Sequence, residues 1–202
     1  MFIVLSLFGQ LLMLFTSVWM LKYWLPKDHK PGWYSAVFCS GLLIASFAAS
    51  SLLTRITELN LMFWFEQLAF YAAFPLLSFV LLALVFNIDW PKEAWGRILL
   101  GACGIYWLCQ QTHYLNVLLI SSALISSVTL ATILLKQQAR IDSKQANIAI
   151  SVSTLASLII VINQLPDYHA AAELAAEWPV ELGLGLLLSA INRGLYLKIK
   201  AD

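Results

Sequence analysis

The stretch AEWPVELGLGLLL, residues 176–188, sets two carboxylates, Glu177 and Glu181, one helical turn apart inside an apolar run with no lysine or arginine beside them. A spanning helix needs about 20 predominantly apolar residues, and the run around this stretch, 170–197, is long enough. The rest of the chain supports reading it as a membrane span. Of 202 residues, 61% are hydrophobic and only 11% charged, whereas soluble domains carry about a quarter charged residues. So much apolar surface does not fit in one water-soluble core, which makes this an integral membrane protein.

Working outward, six more segments qualify, at roughly 2–22, 33–54, 60–87, 95–110, 114–135 and 146–165. No linker or composition shift divides them, so the chain reads as one domain over 1–202. The first run begins at Phe2 without a basic residue before it, unlike a signal peptide, and reads as a retained span. With seven spans the connectors alternate sides. One side receives Lys22, Lys27, Lys30, Lys92, Arg97, Lys136, Arg140, Lys144, Arg193, Lys198 and Lys200; the other receives Arg55 alone. The positive-inside rule then puts the N-terminus outside and the C-terminus in the cytoplasm. Adding or removing a span scrambles that asymmetry. Trp24, Trp33, Trp90, Trp95 and Trp178 fall near span ends, as an aromatic belt does. The expected fold is all-α, a seven-helix transmembrane bundle in the cytoplasmic (inner) membrane of a bacterium, with membrane lipids as its surroundings.

The intramembrane acids are the candidate site. Glu173, Glu177 and Glu181 recur every four residues, a slowly drifting stripe about 12 Å long at 1.5 Å per residue, and Glu66 lies several residues inside the third span. Pro179, between two of them, removes a helix donor and frees the carbonyl of Ala175. An ionised acid within a bilayer is costly and is usually paired or wet. Here the readings are a neutral Glu tying helices together, a proton or cation path, or a ligand contact. Like acids at close range resist joint ionisation, and a shared proton or bound cation relieves them.

Other chemistry is sparse. The small-residue stretches GLLIASFAASS (41–51) and SSALISS (121–127) read as close helix packing, with a serine-lined polar path as the alternative. Cys39, Cys103 and Cys109 lie in apolar runs, as packing residues rather than a disulfide framework. His113, His169 and Glu173 form at most a weak metal constellation and read as solvated interface residues. The chain has no Gly-rich phosphate loop, nucleophile elbow or HExxH motif, so no enzyme is expected. A net charge of +1 offers no basic patch for nucleic acid.

Three stretches carry a family resemblance. AEWPVELGLGLLL places an acid four residues before Glu181 and a Gly-containing apolar run after it. FYAAFPLLSFVLLAL (70–84) centres on Pro75, and LLGACGI (99–105) is rich in small residues. In this order, with seven spans and an outside N-terminus, they resemble the microbial rhodopsins, and the Pro75-to-Gly101 spacing is similar to the proteorhodopsin branch. The resemblance implies that Glu181 stands where the family has its retinal-bearing lysine and Glu177 where it has an aspartate. It also implies that Glu66, Ala69, Phe70 and Ala73 replace the third helix's arginine, aspartate counterion, tryptophan and threonine. Val80 stands at the proton-donor position, and Cys103 joins these as a pocket residue. A carboxylate forms no Schiff base, so covalent retinal and light-driven pumping by the family's mechanism are excluded on this alignment. Span six, ANIAISVSTLASLIIVINQLP (146–166), has no aromatic residue to cover a ring. The function then expected is non-photochemical: non-covalent binding of a lipophilic molecule (a retinoid, carotenoid or lipid), or a scaffold or sensory role. The alternative is a proton or cation conductor using Glu66, Glu177 and Glu181. Ligand or ion contacts are expected at Glu66, Glu177, Glu181, Ala69, Phe70, Ala73 and Cys103. By the same resemblance, a homo-oligomer is implied.

Overall fold

The computed structural model describes residues 2–26, 30–56, 62–136, 143–164 and 180–201, and side chains near several of these ends are left aside. Among them every regular element is helical: α1 (Phe2–Tyr23), α2 (Trp33–Ile56), α3 (Met62–Leu68), a π-helical turn (Ala69–Ala73), α4 (Phe74–Val85), α5 (Lys92–Gln111), α6 (Leu115–Lys136), α7 (Ser143–Gln164) and α8 (Val180–Ala201). Taking α3, the π turn and α4 as one segment gives seven helices, of which six are long and apolar enough to cross a membrane; the exception is α5. Glu173, Glu177, Trp178 and Pro179 lie outside the described residues.

The third segment is interrupted for a reason legible in its sequence. Pro75 has no N–H to give the carbonyl of Tyr71, and its ring crowds that carbonyl. The helix widens just before it, so that the N–H of Phe74 reaches the carbonyl of Ala69, five residues back. The wider turn makes room for the proline without ending the helix, which is how π turns are used inside longer helices.

Helix α8 is central, packing on α1, α6 and α7, while the third segment packs on α2 and α6. Glycines allow these approaches. A Cβ on Gly9 would lie 2.6 Å from the nitrogen of Leu182, and one on Gly185 would lie 2.9 Å from the carbonyl oxygen of Gly9. The parallel helices α1 and α8 therefore touch backbone to backbone. Gly183 lets α7 pack closely too, since its Cβ would meet the side chain of Ile160 at 3.0 Å and the carbonyl oxygen of Ala156 at 3.3 Å. In a bilayer, such small-residue seams replace the hydrophobic drive as the source of helix association.

The serines of SSALISS tie helices together. Ser78 Oγ donates to the carbonyl of Ser122 at 2.9 Å and meets Ser126 Oγ at 2.8 Å, joining α4 to α6. On the opposite face, Ser127 donates to the carbonyl of Ser153 at 3.0 Å and bonds Ser157 Oγ, joining α6 to α7. These serines spend their hydroxyls on neighbouring helices, which favours the packing reading over a polar path.

The connectors sort into two ends. Gly32 abuts the backbone of Trp90, which brings the α1–α2 and α4–α5 connectors together. Tyr23 meets Tyr196 edge-on at 5.8 Å, and Arg193 Nη2 donates to Gln145 Oε1 at 2.6 Å, adding the end of α8 and the start of α7. Trp24, Trp33 and Tyr34 cluster here with ring centroids 4.4–5.6 Å apart, and Trp24 Nε1 donates to the buried Asn192 Oδ1 at 2.9 Å. At the far end of α5, His113 adopts a left-handed φ of 60°. Tyr114 N–H reaches back to the carbonyl of Cys109 at 2.9 Å, closing the helix in a Schellman cap. Asn87 caps α4 in the same way, with φ 53° and Ile88 N–H on Ala83 at 2.8 Å. His113 therefore acts through its backbone, and among the described residues no three His, Cys, Asp or Glu side chains group as metal ligands.

Candidate functional site

The site is built where α1 and α8 touch. Because Gly9 presses on the backbone of Glu181 and Leu182, the next side chain of α1, Gln10, starts level with the first turn of α8. Gln10 is 1% exposed, and its Oε1 has no hydrogen-bond partner. Across to α2, the Cβ positions of Gly41 and Met20 sit 3.3 Å apart. Carried along this antiparallel pair at ~1.5 Å per residue, the register sets Gln10 level with Ser51. Ser51 is also 1% exposed, with its Oγ unpartnered. From α2 to the third segment, the rings of Phe47 and Phe70 meet at 5.0 Å, and the same reasoning brings Ser51 level with Glu66 and Gln67. Gln67 Oε1 is likewise buried without a partner.

Glu66 and Glu181 close this level. Both are half-buried, and the two carboxyls interact electrostatically. Tyr71 lies within electrostatic reach of Glu66 and stacks on Tyr106 of α5 at 5.5 Å, 21° between planes. Glu66 and Tyr71 are five residues apart, a spacing that an α-helix puts well round its circumference and a π turn brings closer to one face. The π turn enforced by Pro75 thus serves the site as well as the fold.

This level is rich in oxygens, although its two amides and its hydroxyl also carry donors. The atoms lacking a partner here (two amide oxygens and a hydroxyl) and the two carboxylates are all oxygens able to accept. Each buried polar atom without a partner costs about 1–3 kcal/mol. Among the described side chains the Lys and Arg residues belong to the opposite half of the bundle; Arg55, on the last turn of α2, is not among them. The level lies roughly 12 Å along α1 from its start. Beneath it apolar side chains fill the centre: Met13, Ile44, Phe47, Phe74, Leu77 and Leu184 are each at most 1% exposed.

The other residues singled out from sequence fall elsewhere. Ala69, Phe70 and Ala73 are buried in the core at the π turn. Cys103 is a half-buried free thiol on α5. Glu177 lies outside the described residues. Sequence reasoning passed over Gln10 and Gln67, and took Ser51 only as part of the small-residue stretch 41–51. The signal for Gln10 was present, an isolated amide within the apolar run FIVLSLFGQLLMLF (2–15). Gln67 carried none, and nothing set Ser51 apart from the other serines of its stretch, because a serine or an interfacial glutamine is ordinary until its partners are known.

A second feature is a half-open crevice of about 150 Å3 between α4, α5 and α6, lined by Tyr71, Pro75, Phe79, Ala102, Ile105 and Ile125 among others. Pockets for drug-sized ligands run to roughly 300–1,000 Å3, so this one suits a length of acyl chain. No protein-family model, curated protein or solved structure matches the chain.

Proposed function

We propose that this protein is a seven-helix protein of the cytoplasmic membrane that binds a small cation, a proton or an alkali-metal ion, at the level formed by Gln10, Ser51, Glu66, Gln67 and Glu181. The observation that carries the reading is the gathering at one level of two carboxyls that interact electrostatically and three buried side-chain oxygens without a hydrogen-bond partner. A cation can take oxygens from all five residues. An orientation with the basic end inside and the acid level near the outer face follows from the positive-inside rule. It takes α5 as a seventh crossing helix, and its 20 residues reach ~30 Å. The close-packed apolar side chains below the acids favour a binding or sensing site over an open conductor. A rhodopsin-like scaffold without the Schiff-base lysine is compatible with this reading, which does not depend on it. The crevice favours a second reading, in which a lipid chain lies between α4, α5 and α6.

Thermal unfolding of the purified protein in neutral detergent tests the proposal. Sodium, lithium and an organic cation are titrated at constant ionic strength, and pH is varied separately. Alkali cations or protons are expected to raise the melting temperature, and the double variant Glu66→Gln, Glu181→Gln should abolish the response. Arg55→Gln should retain it. A wild-type protein indifferent to both, or a double variant with an intact response, refutes the proposal.

A further inference from the structure

At the basic end, away from the acids, α7 and α8 leave an open cleft of about 240 Å3 between them, lined by Gln145, Ile148, Ala149, Val152, Ser189 and Arg193 among others. The α7 residues recur at one-turn spacing and so share one face of that helix. From Gln145 to Val152 the cleft runs about 10 Å away from the basic end. Its two ends differ. Deeper in, the lining is apolar, with Ile148, Ala149 and Val152, and Ser189 turns its hydroxyl back onto the carbonyl of Leu186 at 2.8 Å. At the surface end sit Gln145 and Arg193. A guanidinium has five N–H donors in a planar fork. One N–H of Arg193 goes to Gln145 Oε1 at 2.6 Å, and its guanidinium carbon lies 5.6 Å from the centre of the Tyr196 ring. Both partners are neutral, and among the described residues no carboxylate pairs with this cation. Lys144 stands beside Gln145, and Lys198 and Lys200 follow Arg193 along α8, so the surface end of the cleft is positive. Its depth is that of lipid headgroups. Gln145 lies in the first turn of α7, and Tyr196 meets Tyr23 edge-on, in the aromatic cluster that marks this membrane interface.

We infer that this cleft binds an anionic phospholipid, with its phosphate on the remaining N–H groups of Arg193 and one acyl chain along Ile148 and Val152. A guanidinium matches a phosphate with two parallel hydrogen bonds, and basic pockets between membrane helices recognise anionic headgroups. A zwitterionic lipid brings the same phosphate together with its own ammonium, which the lysines nearby repel. Free phosphate satisfies the donors but leaves the apolar length of the cleft uncovered, so the two-ended lining selects a lipid. The inference is independent of the cation site, which lies at the other end of the bundle, and of the crevice between α4, α5 and α6.

The test uses the full chain in neutral detergent, with native mass spectrometry counting bound lipid and melting temperature as a second readout. Three additives are compared: phosphatidylglycerol, phosphatidylcholine with the same chains, and inorganic phosphate. Phosphatidylglycerol is expected to bind and stabilise more strongly than phosphatidylcholine, and phosphate alone to do neither. Arg193→Gln should weaken phosphatidylglycerol about tenfold, the scale of one lost hydrogen bond to a charged group. It should also erase the preference over phosphatidylcholine, which loss of the Gln145 contact alone does not do. Ser189→Leu, which keeps every charge and fills the cleft, should weaken phosphatidylglycerol several-fold. Lys136→Gln, a charge on the same end outside the lining, should leave it unchanged. Ser189→Leu tests the site even if Arg193→Gln fails to fold. Equal binding of the two lipids, or stabilisation by inorganic phosphate as large as by phosphatidylglycerol, overturns the inference. So does equal weakening by Arg193→Gln and Lys136→Gln, or unchanged lipid binding in Ser189→Leu.

Discussion

The contact between α1 and α8 gives the sharpest test of how this bundle is held together. In Gly9→Ala, the added methyl would sit 2.6 Å from Leu182 N, 2.7 Å from Glu181 C and 2.8 Å from Glu181 O. All three are backbone atoms, so no rotamer change relieves them. Non-bonded carbon contacts are comfortable at roughly 3.5–4.0 Å, and the helices must part by about 0.9 Å at this point. Overpacking of this kind costs typically 1–3 kcal/mol. Against it stands the intrinsic gain of replacing a helical glycine by alanine, about 1 kcal/mol. Gly104→Ala supplies the control, because a Cβ there meets nothing within 4 Å and the variant isolates the propensity gain. The quantity to measure is the difference between the two variants in unfolding by sodium dodecyl sulfate, followed by tryptophan fluorescence. It should be about 1–3 kcal/mol, with Gly9→Ala the less stable. Glu181 belongs to the displaced backbone, so the response to cations should weaken in Gly9→Ala and persist in Gly104→Ala. Equal stabilities for the two variants would show that the seam is not close-packed and would remove the basis for placing Gln10 beside the acids.

Further predictions rest on single interactions. His113→Gly should raise stability by roughly 1 kcal/mol, because it relieves a left-handed backbone that costs a non-glycine residue about that much; an unchanged or lower midpoint would count against the Schellman cap. Asn192→Ala should cost about 1–3 kcal/mol by leaving Trp24 Nε1 buried without an acceptor. Pairing it with Trp24→Phe should recover part of that loss, which a double-mutant cycle measures. Ser78→Ala with Ser126→Ala should show a coupling of about 0.6–1.7 kcal/mol, the range for hydrogen bonds between membrane helices; additive effects would mean that the two hydroxyls do not interact.

The membrane character of the chain, six of its spanning helices and the gathering of its basic residues were legible in sequence, because length, apolarity and charge asymmetry are summed over many residues and survive local detail. The segment 95–110 was read as the shortest of seven spans; the structure has a helix there, Lys92–Gln111, that is not among the six long and apolar enough to cross a membrane. The unusual position of Glu66 and Glu181 was also legible, since an acid in an apolar run stands out wherever its neighbours are. Tertiary structure decided what surrounds them. Gln10 and Ser51 belong with the acids only because two glycine-permitted seams fix the registers of α1 against α8 and α2, and register depends on backbone contacts between segments far apart in sequence. The same holds for the serines of SSALISS, whose spacing allowed a path or a seam until α4 and α7 proved to be their partners. For AEWPVELGLGLLL, the sequence determined that an acid sits without a base. The packing of Gly9 and Gly185 decided that it sits level with the buried amide of Gln10, because only where side chains are missing can two helix backbones come this close.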